Sequence, residues 1–168
     1  VLGMNNMVSK VKAMFDKGNA ELKQHKELEY IDSTTGLRNR PYLVDRLPEY
    51  LKVDAQSKGG VSIIIALSGM IEANEKLGRQ DVDKLFIEIA DMFREGSKIF
   101  KNCIIARMNG TEFSLLLPDC SNTDAIKLAQ NIYNSATQTI EEYGLNKDET
   151  FISIGLYEYN HMDSIGKL

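Results

Sequence analysis

Apolar residues open the chain at Met4, Met7, Val8, Val11, Met14 and Phe15, the three-and-four spacing of one helix face. The stripe weakens where Gly18, Glu21 and His25 fall on its seam, and resumes at Leu22 and Leu28. Residues 1–31 contain no proline and predict one long helix with near-heptad apolar spacing. Two readings stay open: a connector that pairs with a second copy, which we prefer, or an amphipathic helix docked on its own domain.

Further along, the pattern changes period several times. Asp32-Ser33-Thr34-Thr35-Gly36 signals a turn or cap, and Pro41 suits the first turn of a helix running to about Ser57. Val61 to Leu67 is β-branched and nearly unbroken in apolar character, which predicts a strand buried on both faces. A long helical stretch follows from Met70 to Lys98, broken at Gly78. Cys103–Met108 and Glu112–Leu117 read as strands joined by Asn109-Gly110, a strong hairpin signal, with Pro118 as the stop. A helix capped by Asn122 or Thr123 reaches about Tyr143, with Gly144 ending it. Phe151–Tyr157 is a further strand, and Asp163 is expected to cap another helix. Strands and helices in this order imply an α/β (α+β) domain with a mixed central sheet, flanking helices and an antiparallel hairpin. The expected organisation is a connector helix over 1–31 and one domain over 32–168.

Composition narrows the picture. The 168 residues are 43% hydrophobic and 26% charged, enough apolar material for a full core. A net charge of −4 disfavours a nucleic-acid-coating protein, and no nucleic-acid partner is expected. Cys103 and Cys120 lack metal-ligand spacing and read as reduced thiols. His25 and His161 are isolated, so no metal site is expected from them. No stretch approaches the ~20 apolar residues of a membrane span, and no secretory signal is present. The chain opens without Met and reads as an excised fragment.

Four segments then combine. Asp32-Ser33-Thr34-Thr35-Gly36-Leu37-Arg38-Asn39-Arg40 resembles the D-x-L-T-G-L-x-N-R opening of GGDEF domains, the diguanylate cyclase family. Arg107-Met108-Asn109-Gly110-Thr111-Glu112-Phe113 resembles that family's signature hairpin. Asn74 to Asp83, around Gly78, resembles its N-D-x-x-G-H-x-x-G-D segment, and Ser153-Ile154-Gly155 matches its S-I-G strand. The resemblance implies a palm-like nucleotidyl-cyclase fold. Active members join two GTP molecules into cyclic di-GMP, using carboxylates that hold two divalent metals.

The same resemblance locates losses. The family's first metal-binding Asp falls at Ala66, the nearby second Asp at Ser68, and the third signature residue at Thr111. The first signature Gly is Asn109 and the phosphate-contacting Lys is Ile71; only Glu112 remains of the acidic pair. Residues 61–71 contain no Asp or Glu, so shifting the alignment by a residue or two restores no acid. The implied expectation is no catalysis, no metal and no cofactor. The guanine-recognising positions map to Asn74 and Asp83. They imply a vestigial GTP site, set beside the plainer reading of two polar residues on a solvated helix face. The inhibitory product site, R-x-x-D in the family, falls at Phe100 and Cys103 and is absent.

Gly3 to Lys10, with Phe15, looks like a HAMP end running into a signalling helix, and Asn74 to Arg79 resembles the N-x-x-x-G-R stretch of LapD-type cyclic di-GMP receptors. That resemblance implies an inactive relay or autoinhibitory module of a bacterial inner-membrane receptor, on the cytoplasmic side. Its partners would be a downstream EAL domain that binds cyclic di-GMP, a second copy through the first helix, and a periplasmic protease acting on a sensor domain. The alternative is a GTP-binding regulatory domain attached to an active EAL phosphodiesterase.

Overall fold

The computed structural model describes residues 2–52 and 59–160, with side chains from residue 5 onward. The chain divides into two units, residues 1–31 and 32–168. The first is the expected helix, α1 (Leu2–Leu28), ending three residues short of the expected residue 31. Its stripe is bare: Met7, Val8, Val11, Met14 and Phe15 each keep 62–75% of their area exposed. The helix closes in tightened turns, the Tyr30 N–H donating to the Glu27 carbonyl and the Ile31 N–H to Leu28. The Met4 side chain, the expected helix end near Ser57, His161 and the helix expected from Asp163 lie outside the described residues.

The second unit runs β1 (Arg38–Asn39), α2 (Arg40–Leu51), β2 (Gly59–Ser68), α3 (Met70–Leu77), α4 (Arg79–Ser97), β3 (Ile104–Arg107), β4 (Glu112–Pro118), α5 (Asn122–Glu142) and β5 (Phe151–Asn160). The sheet order is β1-β3-β4-β2-β5; β1 and β3 are parallel, and the other pairs antiparallel. This is the expected mixed sheet with flanking helices.

Period-two alternation sets the two faces. Val61, Ile63, Ile65 and Leu67 of β2 share one face with Phe113, Leu115 and Leu117 of β4. Helices α4 and α5 close over this face with Phe93, Ile89, Leu128 and Ile132. Helix α2 covers part of the opposite face, where Leu43 and Leu47 meet Ile104, Ala106, Leu116 and Tyr159. The cover is incomplete. Ile64 is 36% exposed and Ala66 half-buried, so β2 is not sealed on both faces as its continuous apolar run suggested.

Local chemistry explains the boundaries. Asn39 caps α2, its Oδ1 accepting from the Tyr42 N–H at 3.2 Å, with Pro41 in the first turn. Gly78, at φ 81°, separates α3 from α4 as expected. The cap of α5 is Ser121, whose Oγ accepts from the Asp124 N–H at 3.1 Å, rather than Asn122 or Thr123. The turn expected at Asp32–Gly36 is present, and the two-residue strand β1 follows it where no element was expected; it pairs with Ala106 and Arg107, which two residues of pattern cannot announce.

Gly69 turns β2 into α3 at φ 76°, and a Cβ there would meet the Glu149 carbonyl oxygen at 2.0 Å. The neighbour is backbone and cannot swing away. Gly69→Ala is expected to cost at least ~2 kcal/mol, from left-handed backbone plus displacement of the chain ahead of β5. Urea denaturation measures it; an unchanged midpoint would remove the close approach as a constraint.

Candidate functional site

Arg107, the last residue of β3, organises one end of the sheet. Its guanidinium lies 4.5 Å from the Phe86 ring centroid and 5.8 Å from that of Phe113. Nη1 donates to Asp32 Oδ2 at 3.2 Å and Nη2 to the Gly110 carbonyl at 2.7 Å. Both ionic side chains are well buried, 12% exposed for Arg107 and 21% for Asp32. Asp32 also accepts from the Thr35 N–H at 2.9 Å and the Thr35 hydroxyl at 2.7 Å. Burial pushes the Asp32 carboxyl up; the Thr35 hydrogen bonds and the Arg107 charge outweigh it and hold the group below its ordinary value of 3.8. Arg94 of α4 secures the same turn, its Nη2 donating to the Thr35 carbonyl at 2.6 Å.

The hairpin beyond Arg107 is closed by a side chain. Asn109 Oδ1 accepts from the backbone N–H of Thr111 at 2.9 Å and of Glu112 at 3.0 Å. Its Nδ2 donates to Glu112 Oε2 at 2.6 Å. Neither Asn109 nor Gly110 has a positive φ. The Asn-Gly pair therefore turns the chain through the asparagine amide, not through left-handed backbone. The Leu67 N–H donates to the Thr111 carbonyl at 2.9 Å, tying the hairpin to β2.

Register places the remaining candidates. Ala66 stands opposite Glu112 on β4 and Ser153 on β5. Thr111 precedes Glu112, and Ser68 ends β2. Ile71, in the first turn of α3, is 75% exposed.

Residues 29–168 match the family described as diguanylate cyclase, GGDEF domain. The chain belongs to that family. The diguanylate cyclase TpbB of Pseudomonas aeruginosa is 29% identical over 136 residues, covering 79% of this chain and 31% of TpbB. The chain thus spans about a third of that relative. The S helix-GGDEF-EAL structure of Vibrio cholerae LapD bound to c-di-GMP is 25% identical, with TM-score 0.64, over 84% of this chain and 32% of that one. The coiled coil and GGDEF domain of DgcB from Caulobacter crescentus, in complex with c-di-GMP, has TM-score 0.75 at 16% identity. It covers 96% of this chain and 85% of DgcB, and shows the shared fold.

Within this GGDEF domain, the donor set around Ala66 does not fit a pair of divalent metals. The two register neighbours of Ala66, Glu112 and Ser153, supply one carboxylate, already engaged by Asn109. Among the described residues no group of three or more His, Cys, Asp or Glu side chains is arranged to hold a metal. Asn74 is exposed on α3 and Asp83 half-buried on α4, in helices that meet at Gly78. Phe100 packs half-buried against the main core; Cys103 is half-buried, and burial pushes its thiol up. Both cysteines are free.

Three participants were not singled out from sequence as site residues: Asp32 as the ion partner of Arg107, Arg94, and the Asn109 amide as a backbone clamp. Asn-Gly-Thr is a readable side-chain turn signal. The Asp32–Arg107 pair spans 75 positions and carries no local signal.

Asp32→Asn leaves the buried guanidinium without its anion and is expected to cost on the order of 3 kcal/mol. The Asp32 carboxyl is held low, so its stabilisation is complete above the ordinary value of 3.8 and drains as pH falls through the lower folded value. Acid titration of stability checks the sign: the parent chain should lose stability in this window and the variant should not.

Proposed function

We propose that this GGDEF domain makes no cyclic di-GMP and acts as a relay between α1 and further domains of a larger signalling protein. The observation that carries the reading is the register pair Ala66–Glu112, with Thr111 beside it. The family's reaction needs oxygen ligands for two hard cations, which activate a ribose hydroxyl and offset charge at the α-phosphate. An alanine and a threonine supply no carboxylate. The diguanylate cyclase relatives pull toward activity, and the missing acids weigh against it. The hairpin argues the same way as the acids, because Asn109 consumes two of its backbone N–H groups internally.

The likeness to LapD supports the wider setting. In this reading the chain lies on the cytoplasmic side of an inner-membrane receptor, between a HAMP module and a downstream EAL domain that binds cyclic di-GMP. The described residues contain no helix long and apolar enough to cross a membrane. The exposed stripe of α1 supports pairing with a second copy. A second reading is favoured by the retention of Asn74 and Asp83: a GTP-binding domain regulating an active EAL phosphodiesterase.

Incubation with GTP and magnesium should yield no cyclic di-GMP above a protein-free blank; turnover would overturn the reading. Calorimetric titration with GTP separates the two settings. No heat supports the relay, whereas saturable binding abolished by Asp83→Ala supports the second reading. The chain should also sediment as a dimer, and Val11→Glu with Phe15→Glu should weaken association by about tenfold or more. A monomeric parent chain would remove α1 as the pairing element.

A further inference from the structure

Helices α4 and α5 pack closely at Gly96, where a Cβ would lie 2.5 Å from Leu128 Cδ1. The missing side chain lets Leu128 sink toward α4 and leaves a hollow on the outer surface. The resulting groove has a volume of about 660 Å³. Its floor is apolar, built from Met92, Gly96, Phe100, Leu128 and Ile132, and Ile99 stands at one end with 81% of its area exposed. The rim is acidic. Glu88, Asp91 and Glu95 follow one another along α4, Asp124 faces them from α5, and Lys127 is the one cation of the lining.

We infer that this groove docks a basic amphipathic helix of a partner protein. An apolar floor between two parallel ridges suits a helix laid along it by its apolar face. Four carboxylates against one lysine select lysine or arginine at the flanks of that helix. The rim acids have surface partners in the free chain: Asp91 pairs with Arg94 at 2.7 Å, Glu95 with Lys98 at 2.6 Å, and Glu88 accepts from the Tyr143 hydroxyl at 2.7 Å. Such exposed pairs are individually weak and give way to a cation arriving with buried apolar area. The groove lies on the helical layer, away from the signature hairpin, so the inference is independent of whether the domain turns over nucleotide.

The test uses the whole 168-residue chain. Amide spectra are recorded during titration with an amphipathic peptide of leucine and lysine, about 18 residues long, and with its leucine–glutamate counterpart. The lysine peptide should bind saturably, shift resonances of α4 and α5, and bind at least about tenfold more tightly than the glutamate peptide. Added salt should weaken it. Glu95→Lys with Ile99→Ser, both exposed, should reduce affinity about tenfold or more without changing the melting temperature. Shifts confined to α1, equal affinity for the two peptides, or undiminished binding by the variant would overturn the proposal. So would self-association of the parent chain through this groove, which would place a second copy there instead.

Discussion

The Arg107 guanidinium joins the start of the domain, the aromatic core and the tip of the hairpin. Its planar face rests on two aromatic rings of the core, Phe86 and Phe113. One edge reaches Asp32 at the start of the domain and the other reaches Gly110 at the tip of the hairpin. A lysine would meet neither the stacking nor the fork. The arrangement works because Asp32 is itself locked by Thr35, and Thr35 is held by Arg94 from α4. Chain entry, helix layer and hairpin therefore share one ionic centre, partly sheltered from water.

Much of the fold was legible because local periodicity and global packing agree. The apolar run of β2, the break at Gly78, the Asn109-Gly110 hairpin and the stop at Gly144 all announce themselves in a few residues. What stayed hidden depends on partners distant in sequence. β1 has no pattern of its own, and Asp32 and Arg107 lie 75 positions apart in the chain. The outer exposure of Ile64 was also invisible. A run of isoleucines reads the same whether or not a helix reaches far enough to cover its second face.

The candidate site was legible as a set of positions and not as a geometry. Ala66, Ser68 and Thr111 could be named from a motif, but only the sheet register puts Ala66 across from Glu112. The role of Asn109 is the sharpest change. As a sequence feature it looked like a side chain intruding where a glycine belongs. In the structure it is the clasp of the turn, with three short hydrogen bonds to its own hairpin.

That clasp fastens the hairpin from within. A glycine hairpin is compliant, and its stiffness varies with whatever sits beneath it. This one carries its own fastening, so its shape does not wait on an occupant. Arg107 pins its tip to the turn at Asp32, so the two are held to one another through a single side chain. The hairpin thus keeps its turn through side-chain bonds that belong to the domain itself.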